Sequence, residues 1–277
     1  MGRGHRLKKR VIMAAALAAL VSTAGQPDAY AQGRGGGPTP PPAGAPPASA
    51  RAAAPKDLTG YWVSVVAEHW HLRMMVPPKG DFAMLPLNAD ARKIATAWDP
   101  SKEEPGDAQC KAYGAATIMR VPGRLHIEWA GDNTLKMDID SGTQTRLFHF
   151  GSAAAGASQA PSWQGYSAAE WEGIPGADLR ARKAGAPEDA RGGLKVMTSR
   201  LRAGYLRRNG VPYSESTTVE EHVDRFKEPN GDDWIVIDTI VRDPQYLTQP
   251  YVHSVAFKKL PNASGWDPTP CRADQPR

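Results

Sequence analysis

Past its first thirty residues this chain has no charge of either sign to spare, no long apolar run and only two cysteines. Each shortage closes off a class of function. The formal charge of +5 belongs to the N-terminus: residues 1–31 hold five of the 34 Lys and Arg but one of the 29 Asp and Glu, leaving 29 against 28. A balanced remainder offers no concentrated positive face, so no nucleic-acid partner is expected. The apolar run at 11–21 is too short to span a bilayer, so no stable membrane insertion is expected either. Cys110 and Cys271 form no Cys-x-x-Cys pair, and nothing beside them argues for a reactive thiol. Also missing are a Gly-x-Ser-x-Gly elbow, a Walker loop, a dinucleotide fingerprint and a His-Glu-x-x-His zinc motif. No spacing of Ser, His and Asp picks out a triad, and no repeat of 20–50 residues is visible.

What is present begins with the leader. Arg3, Arg6, Lys8, Lys9 and Arg10 precede the apolar run, and Ala29-Tyr30-Ala31 supplies a small-x-small cleavage site before Gln32. That order is a secretory signal, which predicts a periplasmic or secreted protein. In an oxidising compartment the two cysteines are expected to form one disulfide, Cys110 to Cys271. Closing so long a loop stabilises a fold by up to roughly 5 kcal/mol in the chain-entropy model. Residues 32–55 are nearly all Gly, Pro, Ala, Ser and Arg and read as a disordered spacer. Residues 56–277 then suffice for a single domain with a substantial core.

Within that domain the dominant period is two. Residues 61–66 are β-rich, and 68–76 alternate, with Trp70, Leu72, Met74 and Val76 opposite His69, His71 and Arg73. Ala91, Ile94, Ala95 and Trp98 recur at helical spacing, with Asn88 as N-cap and Pro100 past the end, which predicts one short helix. Residues 124–129, 134–140 and 143–150 read as a meander, turned at Gly131-Asp132-Asn133 and Ser141-Gly142. Residues 151–193 read as a long covering loop carrying Trp163, Tyr166 and Trp171. Four further strands follow at 194–202, 214–227, 232–242 and 251–260. About nine sequential strands without a βαβ rhythm predict an all-β fold, a single antiparallel up-and-down barrel.

Gly60-Tyr61-Trp62 opens the first strand, and here the chain resembles lipocalin-like barrels, whose first strand often starts Gly-x-Trp with the Trp plugging the closed end. Pro86-Leu87-Asn88, Trp98-Asp99-Pro100, Cys110, Asp243-Pro244, and Glu221 with Arg225 in a Glu-x-x-x-Arg strand are similar to uncharacterised exported bacterial proteins. The resemblance covers most of the mature chain and implies a lipocalin-like β-barrel without a set activity. His69-Trp70-His71, with Pro122-Gly123 before His126, is also partly similar to cupins, although the Glu expected after the first pair is absent.

Two functional readings follow, with a third beside them. In the first, a small, largely apolar molecule lies in the barrel. Trp70, Trp129 and Phe148 would line the wall, Arg73 and Arg146 would anchor a carboxylate or phosphate, and Trp163 and Tyr166 would form a lid. In the second, an enzyme on the same barrel uses His69, His71 and His126 as metal ligands or acid–base groups, with Glu128 nearby. The third is a structural envelope protein. Each candidate also has a plain reading. The histidines suit solvent-facing strand positions, and Arg73, Arg146, Glu221, Arg225 and Asp238 suit cross-strand ion pairs. Trp163 and Tyr166 suit loop packing, and Asp243-Pro244 suits a turn. The sequence specifies no cofactor and no oligomeric state.

Overall fold

The computed structural model describes residues 49–151, 156, 158–173 and 192–273. The leader, the spacer as far as residue 48 and parts of the 151–193 segment lie outside them. Residues 49–55, the end of the expected spacer, are tied to the domain. The Ala50 N–H donates to Asn133 Oδ1 at 2.8 Å, and Trp171 Nε1 donates to the Ala50 carbonyl at 2.8 Å.

Nine strands close a barrel. They are β1 (Gly60–Val65), β2 (Arg124–Gly131), β3 (Thr134–Ile139), β4 (Gln144–Phe150), β5 (Tyr166–Glu172), β6 (Gly193–Ser199), β9 (Thr218–Lys227), β10 (Asp233–Arg242) and β11 (Tyr251–Leu260). A separate hairpin joins β7 (Gly204–Arg207) to β8 (Val211–Tyr213). Around the barrel the order is β1-β11-β10-β9-β6-β5-β4-β3-β2, and β2 pairs back onto β1. Alternation along each strand sends one set of side chains inward. On β3 these are Leu135, Met137 and Ile139, and on β10 Ile235, Ile237, Thr239 and Val241. Ser141-Gly142 turns β3 into β4, with Gly142 at φ 77°; a Cβ there would sit 2.5 Å from the Tyr113 ring.

The all-β barrel holds, and three local expectations change. First, β4 and β5 run parallel, with Phe148 opposite Ser167. An odd number of strands cannot close with every neighbour antiparallel, so the connection from β4 to β5 returns the chain to the end where β4 began. Residues 166–172 of the expected covering loop are thus a wall strand. Secondly, helical structure exceeds one helix. Beside α2 (Ala89–Ala97), capped by Asn88 as expected, the 66–123 insertion holds α1 (Trp70–Arg73) and three 3-10 segments.

Thirdly, residues 68–76 do not form a strand. β1 already has β2 and β11 on its two edges, and its last paired residue is Val65. The chain instead coils into α1, which buries adjacent Leu72 and Arg73 together, as no strand face allows. His69 and His71 therefore lie on no strand, whereas His126, His149, His222 and His253 do.

The barrel interior is filled by side chains. Trp62, Leu125, Ile127, Phe148, Val196 and Phe257 are all buried there, as is an ion pair between Arg146 and Glu221. At the end where β1 begins, Trp62 is fully buried, with its Nε1 donating to the Leu58 carbonyl at 3.0 Å. Arg225 and Lys259 lie over its ring. Trp129, Phe150 and Trp171 stack beside this core with ring centres 5.1–6.4 Å apart. The long insertions, 66–123 and 200–217, both leave and re-enter at the opposite end. There Leu85, Leu87, Ala91, Leu206, Tyr213 and Val241 build a second apolar cluster. The Cys110–Cys271 disulfide, formed as expected, joins the first insertion to the C-terminal tail.

Candidate functional site

The strand pairing leaves an opening in the wall between β1 and β11. β11 pairs with β10 from Tyr251 onward, but β1 reaches it only from Ala256 onward. The first five residues of β11 thus have no strand on that side, and the chain leaving β1 passes there instead. A cavity of about 400 Å³ occupies the gap, lined by Glu68, His69, Met84, Arg120, Arg207, Asp238 and residues 251–254. That volume lies within the range of small-molecule sites. A second, smaller cavity shares Arg120 and Arg207 and adds Arg73 and Arg208.

Three elements deliver the guanidinium groups. Arg73 comes from α1, Arg120 from the 3-10 turn Ile118–Arg120, and Arg207 from the end of β7. All three are buried. Arg73 pairs with Glu68, and its Nε donates to the Arg120 carbonyl at 3.1 Å, yet its Nη2 has no partner. Arg207 donates to the Ala83 carbonyl at 2.5 Å and lies against the Tyr251 side chain, with Asp81 the carboxylate that acts on it from further off. Among the described residues no carboxylate forms an ion pair with Arg120 or Arg207. Burial lowers the pKa of both Arg73 and Arg207, though a guanidinium stays charged at any physiological pH.

Beside them His253 points inward from β11 between Tyr251 and Val255. It is buried, and neither ring nitrogen has a hydrogen-bond partner. Burial, and then the charges of Arg120 and Arg73, push its pKa down to about 3, so the ring is neutral. Two lining residues also hold left-handed backbone, His69 at φ 47° and Met84 at φ 66°. For an unbranched side chain such as Met84 that conformation costs free energy and collects at functional sites. The pocket thus offers several buried N–H donors and fixed positive charge, behind a lip made by Met84 and Val252.

Of the residues singled out from sequence, His69 and Asp238 line this pocket, and Arg73 lines the smaller cavity beside it. The others go elsewhere. Trp70 is exposed and lines no wall, and His71 is exposed on α1. His126 and Glu128 lie on the outer face of β2, opposite Asp138 and Lys136 of β3. His126 borders a different cavity, with Tyr61 stacked on it at 4.2 Å, so His69, His71 and His126 are not brought together. His126, Glu128 and Asp138 do converge within 4.8 Å. Lys136 already bridges the two carboxylates, at 2.5 and 3.0 Å.

Arg146 and Phe148 point into the barrel, as expected, but Arg146 is engaged by Glu221 at 2.6 and 2.9 Å and by Thr198 at 3.3 Å. Trp129 belongs to the aromatic stack near Trp62. Trp163 is buried, its Nε1 donating to Asp107 at 2.8 Å and Arg202 covering its ring at 4.0 Å; Tyr166 stacks on His149. Asp243 accepts from the Ser214 N–H and hydroxyl, Thr217 Oγ1 and two N–H groups of its own turn.

Nothing in the sequence singled out Arg120, Arg207 or Met84. One signal was available: His253 occupies the inward register of β11, among Tyr251, Val255 and Phe257.

No family model, no curated protein and no solved structure matches this chain.

Proposed function

We propose that the chain is an exported binding protein for a small molecule with an apolar body and an anionic head, seated in the rim pocket rather than in the barrel interior. One observation carries the reading. Arg120 and Arg207 line the cavity without an ion pair to any described carboxylate, beside the neutral ring of His253, whose nitrogens have no hydrogen-bond partner. Leaving such groups unsatisfied costs about 1–3 kcal/mol each. An anion with several acceptor oxygens would satisfy them together, and guanidinium groups are the side chains best shaped to hold it. Met84 and Val252 would meet the apolar body at the mouth. Export rests on the leader, and the disulfide is compatible with it.

Calorimetry with matched alkyl ligands tests this reading. An alkyl phosphate or carboxylate is expected to bind at least about tenfold more tightly than the alcohol of the same chain length, a difference of about 1.4 kcal/mol. Arg120→Gln is expected to abolish that preference. Equal affinity for the anion and the alcohol would sink the proposal.

A further inference from the structure

We propose that the rim pocket takes the headgroup of an anionic lipid directly from a bilayer surface. The apolar apron of Trp70, Met74, Met75, Met84 and Val252 is the face that docks there. The inference rests on the anion-binding reading of the pocket and adds the source of the ligand.

The apron is distinctive for where its members sit. Among the described residues these five large apolar side chains are 50–61% exposed, and Ile94, Leu147 and Met197, the others in the class, reach only 38–41%. Met84 and Val252 line the pocket itself, and His69, the residue before Trp70, lines it too. Trp70 and Met74 lie on one flank of α1, joined by a hydrogen bond from the Met74 N–H to the Trp70 carbonyl at 2.7 Å. Leu72 and Arg73 turn inward from the same helix. One short element therefore places an apolar surface outside and an anion anchor inside.

Exposing such groups in water is costly, and here two of them line the mouth while the other three follow within six residues of His69, which lines it as well. Tryptophan favours the boundary between headgroups and acyl chains, and unbranched methionine adapts to a fluid surface. The occupant is fixed by charge complementarity. Behind the apron stand Arg73, Arg120 and Arg207; of the nearby carboxylates, Glu68 is held by Arg73, Asp238 sits on the outer wall and Asp81 acts on Arg207 without forming an ion pair. A protein partner has no need of an anion site behind its apolar contact, whereas an anionic lipid presents acyl chain and charged head side by side. With the apron at the interface, the head rises past Met84 and Val252 to the guanidinium groups while the acyl chains stay at bilayer level. No described helix is long and apolar enough to cross a membrane, so this docking is peripheral.

The test is co-sedimentation of the mature, disulfide-bonded protein with phosphatidylcholine vesicles, with and without phosphatidylglycerol. Binding of a soluble short-chain alkyl phosphate is measured in parallel. The protein is expected to sediment with the phosphatidylglycerol vesicles and not with phosphatidylcholine alone. Trp70→Ser, and separately the double change Met74→Ser and Met75→Ser, are expected to weaken vesicle binding by about tenfold. Both leave alkyl phosphate binding unchanged, because these side chains lie outside the pocket. Arg120→Gln is expected to weaken both. If the wild type ignores the anionic vesicles but still binds the alkyl phosphate, docking falls and the pocket reading stands. If alkyl phosphate binding is absent as well, both fall. Vesicle binding unaffected by the apron variants also overturns the proposal.

Discussion

Arg225, near the end where β1 begins, is bound on every side: Asp233 takes its Nε and Nη2 at 2.9 and 2.5 Å, the Asp57 carbonyl takes Nη1, and the Trp62 ring lies beneath. Arg146, inside the barrel, is also held by both oxygens of one carboxylate, donating from Nη1 and Nη2 to Glu221. Arg120 and Arg207, at the opposite rim, are equally buried and form no ion pair with any described carboxylate. Burying a charge without a counter-charge is among the costliest things a fold does. The same chain solves that problem twice and leaves it open once, at the place where a cavity meets the unpaired groups. The contrast separates arginines that hold the barrel together from arginines held ready for something else.

The largest effect that would sharpen this contrast lies inside the barrel. Glu221→Gln leaves Arg146 charged and buried with a weaker partner, and Arg146→Met strands Glu221. Each is expected to cost about 3–5 kcal/mol in urea unfolding. The double replacement Arg146→Met with Glu221→Leu is expected to recover most of that loss, since an apolar pair of similar volume suits the surrounding core. Additive losses in the double variant would mean that the two side chains stabilise the barrel independently.

Next comes the paired test across the two ends. Arg225→Gln is expected to cost about 3 kcal/mol, because Asp233 then loses its bidentate partner. Arg120→Gln is expected to change stability by less than about 1 kcal/mol, or to raise it, because it removes an uncompensated buried charge. Urea midpoints at constant slope measure both. Equal losses at the two sites would erase the distinction between structural and poised arginines.

How much of this was legible follows from which signals the chain carries locally. The barrel was readable because period-two alternation in β2, β3, β9, β10 and β11 is imposed by one buried wall face, which each strand records by itself. The parallel pairing of β5 was hidden, since a strand's direction relative to its neighbour is set by the whole barrel and leaves no mark on its own alternation. Residues 68–76 misled because four apolar residues at alternate positions fit a strand, while the decision belonged to β1, whose edges were already occupied. The pocket was the least legible part. It is assembled by Arg120 from a 3-10 turn, Arg207 from a hairpin outside the barrel and His253 from β11, and no local pattern links them. Only Arg73 and His69 were singled out for chemistry in advance, and for different partners.

His253 yields a smaller, pH-dependent effect. Its pKa is about 3 in the fold against 6.5 for an ordinary histidine. Between those values the unfolded chain binds a proton that the folded chain refuses. Stability therefore falls as pH drops below about 6.5, by up to about 1.4 kcal/mol per pH unit, and this contribution levels off below about pH 3. Above pH 6.5 the group contributes nothing. His253→Phe is expected to flatten the slope between pH 4.5 and 6.5, where few carboxylates titrate. An anion in the pocket would offset the charges of Arg73 and Arg120 that disfavour protonation, so ligand binding at pH 5 is expected to take up protons. Calorimetry in buffers of different ionisation enthalpy reads that uptake directly. An unchanged slope in His253→Phe would mean that acid sensitivity arises elsewhere, leaving the rim no different from the closed end in this respect.

The smallest effect concerns the lip. Met84 holds φ 66° although its side chain is exposed and gains little from packing. A left-handed non-glycine residue costs about 1–2 kcal/mol, and glycine in its place costs about 0.5–1 kcal/mol in lost chain freedom. Met84→Gly is therefore expected to stabilise the unliganded protein by about 0.5–1 kcal/mol in urea unfolding. The same change removes apolar surface from the pocket mouth, so affinity for an alkyl anion is expected to fall as stability rises. Opposite signs in the two measurements are what a residue retained for binding at the expense of folding must show. If Met84→Gly destabilises the fold instead, the residue is held by its neighbours for structural reasons, and the strain at the rim says nothing about a ligand.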